Sequence, residues 1–225
     1  MGAKPPKSRS RSDELRYWTA DELRSFLRHN NDHRLAPLWT LAASTGMRRG
    51  ELLGLCWRDI DVGGRRLSVR QSILTVGYRI VRSDPKTAKG ARTIDLDERT
   101  VGMLRAHRAD QQTERRTLDL AVSPDDLVFA RPEGTPLHPD YVRQSFDRRV
   151  KASPVPRIRF HDLRHTHATL LLKAGVPPKV VSERLGHSTV AFTMDVYAHV
   201  IPGMQAAAAE TFGELLHGEQ TDGDD

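Results

Sequence analysis

The sequence predicts a mainly α-helical domain with a small antiparallel β-sheet, an α+β fold. Apolar residues recur at helical spacing over most of the chain, framed by recognisable start and stop residues. One stretch near residues 67–96 switches to the two-residue period of strands. The 225 residues are 38% hydrophobic, enough for one core of ordinary size.

Residues 1–16 are read as a flexible basic arm, because MGAKPPKSRSRS at their start offers almost nothing to bury. A single folded domain is expected over residues 17–217. It begins at Thr19-Ala-Asp-Glu22, a capping box whose hydroxyl and carboxylate satisfy open amides of a first helical turn. Leu23, Phe26 and Leu27 continue that helix. A second helix is expected over 35–45, with Leu35, Leu38, Trp39 and Leu41 inward and Gly46 as its stop. A third passes through Glu51, Leu52, Leu53 and Leu55.

The period then changes. Leu67, Val69, Gln71 and Ile73 alternate with Ser68, Arg70 and Ser72, which predicts one strand with one buried face. A second strand at 78–82 follows a turn at Gly77, and a third at 93–96 is joined to it by residues 83–91. Helices are expected over 98–112, 139–151, 162–174, 178–185, 190–199 and 204–216, with Gly175 and Gly186 as stops. Residues 218–225 read as an acidic, disordered tail.

Composition narrows the class of partner. Lys and Arg exceed Asp and Glu by 35 to 29, and 28 of those 35 are Arg, whose planar fork matches phosphate. The acidic tail leaves the body more basic than the total, as suits a polyanion. No run of apolar residues is long enough for a membrane helix, and the N-terminus lacks the apolar core of a signal peptide, so a cytoplasmic protein is expected. A lone Cys56 excludes an internal disulfide framework and a Cys-based zinc ribbon.

Three boxes are polar where core helices should be apolar. TGMRRGELLGL (45–55) sets Arg48 and Glu51 at i, i+3 at a helix start. HDLRHTHATLL (161–171) aligns His161, Arg164, His165 and Ala168 on one face, leaving Leu163, Leu170 and Leu171 for the core. LGHS (185–188) is followed, ten residues after His187, by Tyr197. Two guanidiniums from distant boxes can clamp the oxygens of one phosphate. A tyrosine with an ordinary pKa of about 10 needs a base and cations to act as a nucleophile. Phe192 and Val196 can do the packing, which frees Tyr197 to face a site. His161 and His165 have the i, i+4 spacing of a zinc pair, but Asp162 fills the second place and no third ligand is signalled. No metal is therefore expected, and His165 and His167 are assigned to helix packing or backbone bonding.

Together these boxes resemble the catalytic domain of the tyrosine recombinase (phage integrase) family, from Tyr17 to about His217. Arg48 lies in T-G-M-R-x-x-E-L, Lys86 in K-T-x-x-x-x-x-R, His161 and Arg164 in H-D-L-R-H-T, His187 in L-G-H-S, and Tyr197 in the last box. The resemblance implies that Tyr197 attacks a phosphate of double-stranded DNA and forms a 3′-phosphotyrosyl link. Arg48 and Arg164 would hold that phosphate, and His187 would donate to one of its oxygens. Lys86, with Lys89 as its rival, would protonate the departing 5′ oxygen. His161 would be a base or donor beside the nucleophile, and Glu51 would orient Arg48 or a neighbouring side chain. Arg92 would contact DNA backbone or pack on the sheet. Neither ATP, metal nor any other cofactor is implied.

Family members also carry an N-terminal clamp domain, for which the eighteen residues before Thr19 leave no room. The chain is therefore expected to be a catalytic fragment, monomeric and weakly binding alone, and a homotetramer on paired DNA sites. It would sit at the nucleoid when bound to DNA. A catalytically silent DNA-binding module, or a metal-dependent nuclease built on the His cluster, are the readings from other classes.

Overall fold

A computed structural model describes residues 15–77, 79–83, 91–197 and 204–218. The predicted arm before Leu15, the tail beyond Gly218, and Lys86 and Lys89 lie outside the described residues.

Helix α1 (Ala20–His29) starts at the expected capping box. Glu22 N donates to Thr19 Oγ1 at 3.2 Å and Thr19 N to Glu22 Oε2 at 2.8 Å. Phe26 on α1 meets Trp18, Trp39 and Phe146 with ring centroids 4.9–5.5 Å apart, the centre of the main core. Trp39 belongs to α2 (Ala36–Thr45), a nearly all-apolar helix whose Leu35 is the cap rather than a helical residue. Gly46 closes α2 in the left-handed conformation, φ 66°. Helix α3 (Arg49–Gly54) follows almost at once, with Leu52 and Leu53 fully buried.

The β region departs from the expected single sheet. A 3₁₀ turn at Trp57–Asp59 leads into β1 (Ile60–Asp61), and β2 (Arg66–Val69) lies between β1 and β5 (Arg92–Asp95). Leu67 stands opposite Ile60 on one side and Ile94 on the other, so the sheet's apolar face is continuous. The strand predicted through residues 67–73 is broken after Val69, and β3 (Ser72–Val76) pairs instead with β4 (Arg79–Ser83) in a separate hairpin. Close packing on α3 explains the break. The backbone at Gln71–Ile73 runs so near Gly50 and Gly54 that a Cβ on Gly50 would lie 2.6 Å from the Ile73 carbonyl oxygen. The Gln71 amide donates to the Gly54 carbonyl.

Helix α4 (Glu98–Thr117) runs beyond its predicted end at Gln112. Its last turns lack apolar residues but are held by buried polar groups. Gln111 Oε1 accepts from the Trp57 indole, and Arg115 pairs with Asp126 at 3.1 Å. Helices α5 (Pro139–Ala152), α6 (Asp162–Lys173), α7 (Pro178–Leu185), α8 (Val190–Tyr197) and α9 (Met204–His217) follow near their expected places. On α6, Leu163 is buried as expected, but Leu170 and Leu171 are only half-buried and Ala168 is at 0% exposure. The helix is covered on nearly every side, so its buried set includes Thr166, His167 and Thr169 as well as Leu172.

Two apolar clusters result among the described residues. The larger joins α1–α5 to the first sheet and reaches Leu163. A smaller one gathers Ala168, Leu172, Val181, Leu185 and Tyr197, with Leu15 and Tyr17 packed against it. Helix α6 is built into both. The polar boxes lie along this junction, where side chains from separate helices can be held rigidly around one point.

Candidate active site

Arg48 caps α3, and the cap places it. Its backbone N donates to Glu51 Oε2 at 2.9 Å, its Nη1 to Oε1 at 2.8 Å, and its Nη2 to the Gly186 carbonyl at 3.2 Å. The pairing of Arg48 with Glu51 read from their spacing is thus present, with the guanidinium still about half exposed. Arg92 grips the same carboxylate through Nη1 at 3.1 Å and Nη2 at 2.9 Å, and its Nε donates to the Arg184 carbonyl at 2.9 Å. Arg92 thus ties Glu51 to the end of α7, a role that neither of its expected places, DNA backbone or sheet packing, described. Burial pushes the Glu51 carboxyl up, but the bonds from Arg92 and Arg48 outweigh it and hold the group below its ordinary pKa.

Arg164 is the buried member, 4% exposed on the first turn of α6. Its Nη1 donates to the Gly46 carbonyl at 2.7 Å, while its buried Nη2 has no hydrogen-bond partner. Burial, then the nearby Arg48 charge, lower its pKa to about 9. Two left-handed glycines, Gly46 and Gly186 (φ 66° and 69°), thereby present carbonyls to the two arginines. The sequence marked them only as helix stops. Arg48 and Arg92 both pair with Glu51, and Arg164 lies within the field of that one carboxylate without bonding to it. A buried surplus of positive charge with an unsatisfied N–H is unfavourable alone, and an oxyanion relieves both defects.

The histidines and the tyrosine surround this point. His187 Nδ1 lies 2.8 Å from Thr193 Oγ1, and its ring meets Phe192 edge-on at 4.8 Å. Burial, then Arg164 and Arg48, lower its pKa to about 3, so the ring is neutral at physiological pH. His161 sits at the cap of α6, exposed, with its pKa lowered by desolvation and then by Arg164. Tyr197 is 1% exposed, and burial raises its pKa to about 12, only partly offset by Arg164. Of the two residues expected to pack, Val196 does so against the second core cluster while Phe192 is half exposed; Tyr197 is itself buried in that cluster. The tyrosine ring and Val196 together bring the apolar area of α8 to that cluster.

His165 was missed as a site residue. Its Nδ1 is 2.9 Å from the Tyr197 hydroxyl. His167 does bond backbone as expected, its Nδ1 2.8 Å from the Ala43 carbonyl. Among the described residues no group of three His, Cys, Asp or Glu side chains is placed to hold a metal ion. Beside the arginines, a cleft of about 900 Å³ opens between α3, β3, α5 and residues 157–161. Its lining carries Arg16, Arg48, Arg49, Arg143, Arg157 and Arg159 against the one carboxylate of Asp147.

Paired buried and half-exposed arginines, an arginine-rich cleft and a C-terminal tyrosine thus share one mainly helical domain. Residues 16–203 match the phage integrase family, and the chain belongs to it. It is 34% identical over 215 residues to a XerC-like tyrosine recombinase of Caldanaerobacter subterraneus subsp. tengcongensis, covering 90% of this chain and 55% of that protein. Among solved structures, the Tn1549 transposon integrase in complex with circular intermediate DNA superposes with a TM-score of 0.75 at 25% identity, over 89% of this chain and 68% of that one. The catalytic domain of bacteriophage HP1 integrase shares the fold, with a TM-score of 0.55 at 21% identity over 92% of this chain and all of that domain. The chain spans about half the length of the curated relatives it matches.

Proposed function

We propose that this domain cleaves and rejoins duplex DNA through a 3′-phosphotyrosyl intermediate on Tyr197. The observation that carries the reading is the buried, unpartnered Nη2 of Arg164 inside a cluster of three guanidiniums and one carboxylate. That cluster is built for an oxyanion of concentrated charge. Arg48 and Arg164 hold the non-bridging oxygens of the scissile phosphate, and their charged hydrogen bonds strengthen as charge accumulates in the phosphorane. Glu51, fixed by Arg92, sets the angle of the Arg48 fork. Neutral His187 presents its remaining ring nitrogen to the phosphate while Thr193 occupies the first.

Tyr197 Oη attacks phosphorus, and the 5′ oxygen departs with a proton from Lys86. His161 stands at the mouth of the site as a donor to the reacting groups. A second 5′-hydroxyl then reverses the first step on a partner strand, so the phosphodiester energy is kept in the protein–DNA bond. The chemistry requires neither ATP nor a metal, because guanidiniums and imidazoles supply the positive charge. With 1% of the residue exposed, Tyr197 must be uncovered when DNA docks. Recombination of two duplexes requires four active sites, hence a homotetramer on paired sites formed from monomers. Such a protein acts in the cytoplasm, on the nucleoid.

A suicide duplex, nicked so that the cleaved short strand diffuses away, tests the reading. At high protein and low salt, with EDTA present, the wild-type chain should form a denaturant-stable adduct, whereas Tyr197→Phe should bind DNA and form none. Adduct formation by Tyr197→Phe, or its abolition by EDTA in the wild type, would count against the assignment.

A further inference from the structure

The sequence gives His165 to helix packing, and the resemblance gives the place beside the nucleophile to His161. The side chains are arranged otherwise. His165 Nδ1 lies 2.9 Å from Tyr197 Oη, with the rings 5.8 Å apart and inclined at 58°. Among the described residues no hydrogen bond joins His161 to Tyr197; His161 instead meets the His165 ring edge-on at 5.1 Å. The helix explains the difference. His161 is the exposed cap of α6, whereas His165 is one turn further in, at the depth where α8 buries Tyr197.

We propose that His165 is a catalytic residue, which fixes the Tyr197 hydroxyl by accepting its hydrogen bond and takes the phenolic proton as Oη bonds to phosphorus. This rests on the DNA-cleavage reading above. The step balances over the groups proposed above. The Oη–P bond forms, the P–O5′ bond breaks with its electron pair on the 5′ oxygen, and the phenolic proton passes to His165 Nδ1. The 5′ oxygen takes its proton separately, from the Lys86 ammonium, and rejoining runs the same transfers backward.

The electrostatics of the site agree with a transfer that waits for DNA. Burial, then His161 and Arg164, hold His165 near a pKa of about 4, while Tyr197 stands at about 12. The proton therefore stays on the phenol at rest, and the neutral ring accepts through Nδ1. A phosphate docked on Arg164 offsets part of the positive field at His165 and raises the basicity of that nitrogen when it is needed.

The test is single-turnover adduct formation on the suicide duplex, with an ordinary substrate and with one carrying sulfur at the 5′ bridging position. A thiolate leaves without a proton, so the sulfur substrate cures defects of the leaving-group acid and not those of the nucleophile. His165→Ala should slow adduct formation by about 10²–10⁴-fold on both substrates, the range of general-base catalysis, and added imidazole should restore part of the rate. His165→Asn keeps an oxygen acceptor near the Nδ1 position without a base, and should fall between Ala and wild type. It also serves if His165→Ala folds poorly, as a thermal melt of each variant will show. Wild-type rate in either variant overturns the proposal, and so does a His165→Ala defect that the sulfur substrate cures. Absence of an adduct from the wild-type chain would instead remove the DNA-cleavage reading, a separate and recognisable failure.

Discussion

At the scale of single residues, most of the site consists of groups whose protonation the fold has fixed. His167 shows the cost of fixing one. Its Nδ1–H donates to the Ala43 carbonyl at 2.8 Å and its Nε2 accepts from Arg184 Nε at 3.3 Å, an arrangement that only the neutral tautomer satisfies. Burial, then the Arg184 charge, lower its pKa from 6.5 to about 4. The unfolded chain therefore takes up the proton first. Stability is fully present above pH ~6.5 and is lost as pH falls toward ~4, on the order of 3 kcal/mol for this group. Urea midpoints should be level in neutral buffer and decline through that window; a level profile across it would show that His167 titrates alike folded and unfolded. Residue types and spacings made Arg48, Glu51, Arg164, His187 and Tyr197 visible in the sequence. They could not show that His165 rather than His161 meets the tyrosine, because that depends on how deeply α8 packs on α6. Nor could they show Arg92 sharing Glu51, a contact between residues 41 positions apart.

At the scale of elements, helix ends do the positioning, and the start and stop residues that made the helices legible are the same ones that aim the arginines. Gly46 ends α2 and its carbonyl holds Arg164; Gly186 ends α7 and its carbonyl holds Arg48. A Cβ on Gly46 would lie 2.6 Å from Leu185 Cδ2 and 2.8 Å from His167 Cδ2, and the residue sits at φ 66°. Gly46→Ala should therefore destabilise the fold by about 1–3 kcal/mol through backbone strain and overpacking. It should also reduce adduct formation further than lost folding explains, because the displaced carbonyl no longer fixes Arg164. Thermal melts and adduct rates measured well below the melting temperature separate the two effects. An adduct rate equal to wild type would mean that the Gly46 carbonyl is dispensable for Arg164. The strands were less legible than the helices for a related reason. Alternation alone ran residues 67–73 together, and nothing in a two-residue period reports that Gly50 and Gly54 on α3 let the backbone at Gln71–Ile73 pass close and leave the sheet. The end of α4 escaped for the opposite cause: Gln111 and Arg115 are polar, so their burial carries no apolar signature.

For the whole molecule, the net charge of +6 matters less than where its arginines stand. The cleft beside Arg48 brings together Arg16 from before α1, Arg49 from α3, Arg143 from α5 and Arg157 from the segment before α6, with Asp147 as the one carboxylate in its lining. These residues are far apart in sequence and meet at this opening, so the fold concentrates positive charge beside Arg48. Binding of duplex DNA there should release condensed counterions, and log K should fall with log salt by ~0.9 for each phosphate neutralised. Arg49→Gln and Arg157→Gln should each weaken binding across all sequences and make that slope shallower by about 1, since each removes one phosphate contact and no base contact. Fluorescence anisotropy with a labelled duplex over a salt series measures both quantities. An unchanged slope in both variants would place the DNA on another face, even if the tyrosine adduct forms. A loss of affinity confined to one sequence would mean that these arginines read bases. The cleft favours the phosphate outcome, because Arg49 and Arg157 line it beside the half-exposed Arg48 and against the single carboxylate of Asp147.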